Sequence, residues 1–260
     1  MYCFSYVTTK GIVRDVNQDA LMIKIASYRE KEILVSAVCD GMGGIAGGEI
    51  ASSFVITGVS EWFESQYPVL LCGNESILDI RRSLDELLHT LNDNINSNIG
   101  NKPKMGTTFT GMIIDPVLDK VLISHVGDTR LYKIYADRLE IVTTDHSVVA
   151  EEVRRGLLTP EEAAKDTRQN QITNCIGAGE KNRIYDYIIQ SPETDCVYML
   201  CSDGFRKFIS ENEIIEYLSP VKNIDNNSLH SNLEYLMNLN MERKESDNIT
   251  AVAVKYKGGE

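Results

Sequence analysis

Apolar positions along the chain follow two periods. Short runs rich in Val, Ile, Leu and Tyr predict strands at residues 33–39, 108–114, 120–126, 130–135, 139–142, 197–201 and 249–256. Elsewhere a period of 3.6 takes over. Ile50, Phe54, Val55, Val59, Trp62 and Phe63 fall on one face of a predicted helix. Ile77, Ile80, Leu84, Leu87, Leu88, Leu91, Ile95 and Ile99 fall on one face of a second. Further helices are predicted at 148–156, 160–165, 211–218 and 229–241, with Thr159 and Ser210 as N-caps. Gly127-Asp128-Thr129 and Ala136-Asp137-Arg138 are tight connections between strands. Links this short favour antiparallel pairing of the strands they join. Many antiparallel strands with helices grouped between them predict an α+β layered fold. No repeat, low-complexity tract or Pro/Ser-rich linker divides the chain, so one domain spanning 1–260 is expected.

Composition narrows the class. Of 260 residues, 43% are apolar and 25% charged, as in a folded globular protein. No run reaches the roughly 18–20 apolar residues a membrane helix needs. The first 13 residues show no basic patch followed by an apolar stretch, so a cytoplasmic protein is expected. Six cysteines (Cys3, Cys39, Cys72, Cys175, Cys196 and Cys201) form no CxxC pair. Buried free thiols are expected rather than disulfides or a zinc site. With 38 acidic and 26 basic residues the net charge is −12, which argues against nucleic acid or an anionic membrane as partner.

The informative chemistry is a set of aspartates where apolar strands end. Asp40 follows the run 33–39 and precedes Gly41. Asp203 follows 197–201 and precedes Gly204. Asp128 lies in the 127–129 link, Asp247 precedes the last strand, and Asp19 closes Arg14-Asp-Val-Asn-Gln-Asp19. Far apart in sequence, such carboxylates converge if one end of a sandwich collects those strand ends. Hard cations such as Mg²⁺ and Mn²⁺ prefer oxygen ligands. Two of them side by side lower the pKa of a shared water, which can then attack phosphorus in line. A glycine after the aspartate permits a sharp turn and frees its carbonyl as a ligand. An arginine would hold phosphoryl oxygens bidentately. A single Asp-Gly pair is an ordinary turn; the weight lies in the whole ordered set.

That set resembles the type 2C, metal-dependent protein phosphatase family in its bacterial form. After the Arg14–Asp19 segment come Val38-Cys-Asp-Gly-Met-Gly-Gly-Ile-Ala-Gly-Gly-Glu-Ile-Ala-Ser52, Gly106-Thr-Thr108, Val126-Gly-Asp-Thr-Arg130 and Thr144-Asp-His-Ser147. Gln171-Ile-Thr-Asn-Cys-Ile-Gly177, Leu200-Cys-Ser-Asp-Gly-Phe205 and Ser246-Asp-Asn-Ile-Thr250 complete it, so the motifs run from residue 14 to 250. The resemblance implies a central antiparallel β-sandwich flanked by helices on both sides, with a helical flap at about 147–183 beside the active site. It implies two core Mn²⁺ or Mg²⁺ ions and a third, weaker one. Asp40 would bridge the core pair, the Gly41 carbonyl would complete one sphere, and Asp203 and Asp247 would hold the other ion. Asp19 would hold metal-bound water, Asp128 the third ion, and Arg14 the phosphate. Arg14, Asp40 and Asp203 are thus the expected catalytic residues. The implied activity is hydrolysis of phosphoserine and phosphothreonine on proteins, by a monomer opposing a Ser/Thr kinase. Two departures matter. Gln18 stands where many members carry Glu, and Met42 where animal members carry a histidine proposed as general acid, so no general acid is assigned. The flap acids Glu151, Glu152, Glu161 and Glu162 alternate with Arg154, Arg155 and Lys165, which predicts a solvated pair of short helices that also screens substrates.

Other readings carry less. His125 reads as a packing residue and His146 as a tie at the flap base, while His89 and His230 read as helix-surface residues. A cysteine phosphatase needs Cys-x5-Arg, whereas Cys201 and Arg206 are spaced Cys-x4-Arg with Asp203 inside the would-be anion loop. No Gly-Lys-Ser/Thr follows Gly43-Gly44 or Gly47-Gly48, which excludes a nucleotide loop. A pseudophosphatase serving as a binding module, and a relative dedicated to one regulatory partner, remain as alternatives.

Overall fold

Strands rich in apolar residues must bury both faces, and here they do so in three separate cores. In the computed structural model, which describes residues 1–43, 47–99, 105–178 and 184–258, two antiparallel sheets stack face to face. The first has the order β1 (Tyr2–Thr9), β12 (Ile249–Tyr256), β11 (Val197–Cys201), β7 (Arg130–Ile134), β8 (Leu139–Ile141). The second has the order β10 (Asp186–Gln190), β6 (Lys120–Val126), β5 (Phe109–Asp115), β3 (Lys31–Met42), β4 (Gly106–Thr107), β9 (Ile176–Gly177), with β2 (Asp19–Tyr28) paired to β3.

The side-chain period of two decides which core each residue enters. Along β3, Leu34 and Val38 enter the layer between the sheets, with Met112, Ile123, Leu131, Tyr198, Leu200 and Val252. Ile33, Val35, Ala37 and Cys39 face the other way, under α1 (Gly48–Ser65), α2 (Tyr67–Cys72) and α3 (Ile77–Ile99). Along β11, Val197, Met199 and Cys201 pack under α7 (Glu211–Leu218) and α8 (Asn226–Glu242). The result is the α-β-β-α layering that the motifs implied. Trp62 ties two helices together, donating from Nε1 to Ser83 Oγ at 2.9 Å. No described helix is long and apolar enough to cross a membrane.

All seven expected strands form, and β1, β2 and β10, with the two-residue β4 and β9, join them unforeseen. Ser210 caps α7, and Thr159 caps α5 (Pro160–Ala163), each closing a capping box. Three expectations are corrected. The 127–129 link is no hairpin: β6 already has β5 and β10 as neighbours, so β7 starts in the opposite sheet. Gly127, at φ +106°, carries the chain across the sandwich, and a Cβ there would stand 2.5 Å from Thr108 Cγ2. Ile50 and Phe54 do not face the core; they are exposed, because the buried row of α1 runs through Ala51, Val55, Val59 and Trp62. Of the six cysteines, all free, Cys72 is exposed and the other five are buried. The Ile99 side chain lies outside the described residues.

Candidate metal centre

The antiparallel register of β2 and β3 sets Asp19 directly opposite Asp40. Backbone contacts fix Asp40 without using its carboxylate. Its N–H donates to Thr108 Oγ1 at 2.8 Å, and its carbonyl accepts from Thr108 N at 2.9 Å and Thr107 Oγ1 at 3.0 Å. Gly41 passes so close to the start of α1 that a Cβ would lie 2.2 Å from Gly48 O. Ser52 Oγ, from the first turns of α1, donates to Gln18 O at 2.6 Å, and Gln18 Nε2 reaches Glu49 Oε2 at 3.4 Å.

Asp203 opens α6 (Asp203–Arg206) right after β11. Gly204 is required there, since a Cβ would meet Asn248 O at 2.1 Å. Asn248 in turn binds the 10–18 loop. Its Oδ1 accepts from Gln18 N at 2.9 Å, and its Nδ2 donates to Lys10 O at 3.1 Å and Val16 O at 3.0 Å. Ser202 Oγ donates to Asp19 Oδ2 at 2.9 Å. Asp247 is set by Glu245, a wholly buried carboxylate whose Oε1 accepts from Ser246 N at 2.7 Å and Asp247 N at 2.9 Å. Arg14 Nη2 donates to Asp247 Oδ2 at 2.9 Å, so the expected phosphate ligand and an expected metal ligand meet at one point.

The electrostatics show how closely these groups converge. Burial, then the charges of Asp203 and Asp247, raise the Asp19 carboxyl from 3.8 to about 7, against hydrogen bonds from Thr250 and Ser202. Desolvation, followed by Asp19, Asp203, Asp128 and Asp247, holds Asp40 well above the usual carboxylate range, though it keeps some contact with solvent. Burial and then Asp203 raise Asp128 to about 7, against the pull of Arg206. Asp19 Oδ1 and Asp128 Oδ1 are buried with no hydrogen-bond partner. Carboxylates crowded and desolvated without a matching cation are costly. Such an all-oxygen set fits hard divalent cations. Among the described residues no three His, Cys, Asp or Glu side chains close around one ion by themselves. Backbone carbonyl and water would complete the spheres, and hard cations such as Mg²⁺ do keep several waters.

A second network frames Asp128. Arg206 Nη2 donates to Asp128 O at 3.1 Å and reaches Asp145 Oδ2 at 3.4 Å. Arg130 grips Asp145 through Nε and Nη2, both at 2.8 Å. His125 is buried between Thr110 Oγ1 at 2.9 Å and Thr144 O at 3.0 Å. Burial, then His146, push His125 down to about 4, so it is a neutral packing residue. His146 ties the flap base to Asp186 at 3.0 Å and accepts at Nδ1 from Gly127 N at 3.3 Å. Burial pushes the Cys201 thiol up to about 12, which removes it as a nucleophile.

The described part of the flap holds α4 (Val148–Arg154) and α5, with its two ends brought together by the Ser147–Ile172 bridge; residues 179–183 lie outside the described residues. Between flap and sandwich lies a cleft of about 750 Å³ that reaches Asp128 and Asp203. The sequence reading missed Glu245, Asn248 and the Arg206–Asp145–Arg130 network. The Ser246–Thr250, Thr144–Ser147, Val126–Arg130 and Leu200–Phe205 motifs contain or adjoin them.

Known proteins resemble this chain in sequence and in fold. A sequence profile described as protein phosphatase 2C matches residues 12–237. Protein phosphatase PhpP of Streptococcus pneumoniae is 30% identical over 215 residues, 81% of each chain. The crystal structure of serine/threonine phosphatase Stp1 from Staphylococcus aureus superposes with a TM-score of 0.83 at 28% identity, covering 99% of this chain and 96% of that one. The catalytic domain of the serine/threonine phosphatase PstP, solved in complex with two manganese ions, gives a TM-score of 0.76 at 25% identity over 98% and 99% of the two chains.

Proposed function

The chain belongs to the protein phosphatase 2C family in its bacterial form, and from that premise we infer that it hydrolyses phosphoserine and phosphothreonine on proteins with the help of two divalent cations. One observation carries the reading: Asp19, Asp40, Asp128, Asp203 and Asp247 come together from five separate segments, with buried oxygens left unpartnered. The solved PstP complex with two manganese ions supports the same ion count. Asp40, Asp203, Asp247 and the Gly41 carbonyl would hold the core pair, Asp19 its water, and Asp128 a third ion. When bound, the cations would supply an activated water and stabilise negative charge on the phosphoryl oxygens.

The chain's own residues do the rest. Arg14, half exposed beside Asp247, is placed to bind the phosphoryl group with its two-pronged guanidinium. Asn248 holds the 10–18 loop, and with it Arg14, at a set distance from Asp247. Glu245 and Ser202 orient Asp247 and Asp19. Phosphorylated proteins are the substrate class, and a Ser/Thr kinase would supply them. With these carboxylates all in place, an enzyme is favoured over a binding module.

The deciding experiment is release of phosphate from p-nitrophenyl phosphate and a phosphothreonine peptide, with Mn²⁺ and with chelator. Turnover in Mn²⁺ that chelator abolishes is expected; no turnover in any divalent metal would leave the binding-module reading. Arg14→Ala should raise KM about tenfold or more with a smaller change in kcat, because it removes ground-state phosphate binding. A fall in kcat alone would contradict that role.

A further inference from the structure

The cleft between flap and sandwich is wider than one phosphoryl group requires. Its flap wall includes Val149, Ala150, Val153, Ala163 and Ala164, whose short side chains leave room for an extended peptide. Four cations also line it: Arg130, Arg154, Arg206 and Lys207. Two are already committed, since Arg130 and Arg206 both hold Asp145. Three of the four flap acids are committed too. Glu151 reaches Arg155 at 3.5 Å, Glu152 holds Arg168 at 2.7 Å, and Glu162 accepts from Thr159 N at 2.8 Å. Arg154 is exposed and, among the described residues, has no hydrogen-bond or ion-pair partner. Among the described residues Lys207 meets only Glu245, at 4.0 Å, and 38% of its side chain is exposed. Arg154, without a side-chain partner among the described residues, and Lys207, held only loosely by Glu245, therefore mark one cleft on a protein whose net charge is −12.

We propose, resting on the phosphatase reading above, that this cleft is a peptide groove selecting phosphorylated chains with a second anionic side chain near the phosphoresidue, and that Arg154 and Lys207 read that group. The cleft is continuous with the metal centre through Asp128 and Asp203, so a peptide whose phosphate sits there has room to run along it. The overall negative field repels acidic chains, so acceptance of one depends on local cations. A guanidinium binds either a carboxylate or a phosphate bidentately, so the shared chemistry is an anion. The selection is electrostatic and partly exposed, so salt screens it.

The test uses the full chain with Mn²⁺ and three phosphothreonine peptides that differ at one neighbouring position: Ala, Asp or phosphoserine. At low salt kcat/KM should be about fivefold higher for the Asp peptide than for the Ala peptide, and at least as high for phosphoserine, as expected of one partly exposed ion pair. A preference for phosphoserine alone would assign the subsite to a second phosphate. Raising salt to 0.5 M should bring the ratios towards one (a condition about threefold shorter in Debye length than 0.05 M). Arg154→Glu and Lys207→Glu, both at partly exposed positions, should each lower the ratio and together bring it to one or below. Equal kcat/KM for all three peptides, with p-nitrophenyl phosphate and the Ala peptide still hydrolysed, overturns the groove while leaving the catalytic reading intact. A preference untouched by either charge reversal also overturns it. Failure on every substrate would instead sink the catalytic reading.

Discussion

Asp40→Asn is expected to lower turnover of any phosphomonoester at least about 10²-fold, the scale of losing one key electrostatic group, and at the same time to stabilise the metal-free chain. The two effects share one cause. Asp40 sits where the fields of Asp19, Asp203, Asp128 and Asp247 meet, and desolvation adds to their repulsion. Asparagine has the same shape and removes the charge. The backbone contacts to Thr107 and Thr108 do not involve the side chain and should survive. Without cations the variant is relieved of repulsion, and each kcal/mol regained should raise Tm by about 2–4 °C. With cations it has lost the carboxylate proposed to join them. Sites built for function often trade stability in this way. Phosphate release in Mn²⁺ and thermal unfolding in chelator check the two halves. Near-normal turnover would refute the assignment of Asp40, and a drop in metal-free Tm would refute the account of its environment. Asp203→Asn should show the same loss of turnover.

The second large effect is a pH-dependent response to metal. Asp19 and Asp128 are both raised from 3.8 to about 7, chiefly by burial and then by neighbouring carboxylates. A carboxyl with a raised folded pKa holds its proton more tightly in the folded chain than in the unfolded one. The stability it contributes is therefore present below about pH 4 and lost as pH rises towards 7. This is the reverse of the usual salt-bridged aspartate. Divalent cations would replace those protons with positive charge. At 100 times its dissociation constant a bound ion adds about 2.7 kcal/mol, or roughly 5–10 °C for a chain of this size. Mn²⁺ should thus raise Tm by several degrees more at pH 7.5 than at pH 5.5, where protons compete. Thermal unfolding at both pH values, with chelator and with Mn²⁺, measures it. Equal shifts at the two values would contradict a carboxylate-lined site.

Much of the scaffold was legible because local patterns carry it. The run 33–39 is apolar at nearly every position since β3 is covered on both faces, by the other sheet and by α1. Ser210 and Thr159 announced their helices because capping depends on residues three positions apart. β2 was harder to see, for Lys24 and Ser27 interrupt its apolar residues on a strand that is only partly buried. Ile50 and Phe54 shared the helical period of α1 but sit one step away from its buried row, a difference no pattern of apolar residues distinguishes.

By itself the sequence determined the layered α+β class, the acidic stations at the strand ends, and the family they belong to, since each is written in neighbouring residues. Tertiary structure alone decided that Gly127 crosses between sheets, that Glu245 is buried to set Asp247, that Arg206 and Arg130 share Asp145, and that Arg154 has no side-chain partner among the described residues. Those outcomes depend on which distant segments meet, and on the desolvation and charge that meeting creates. Local periodicity holds no record of either.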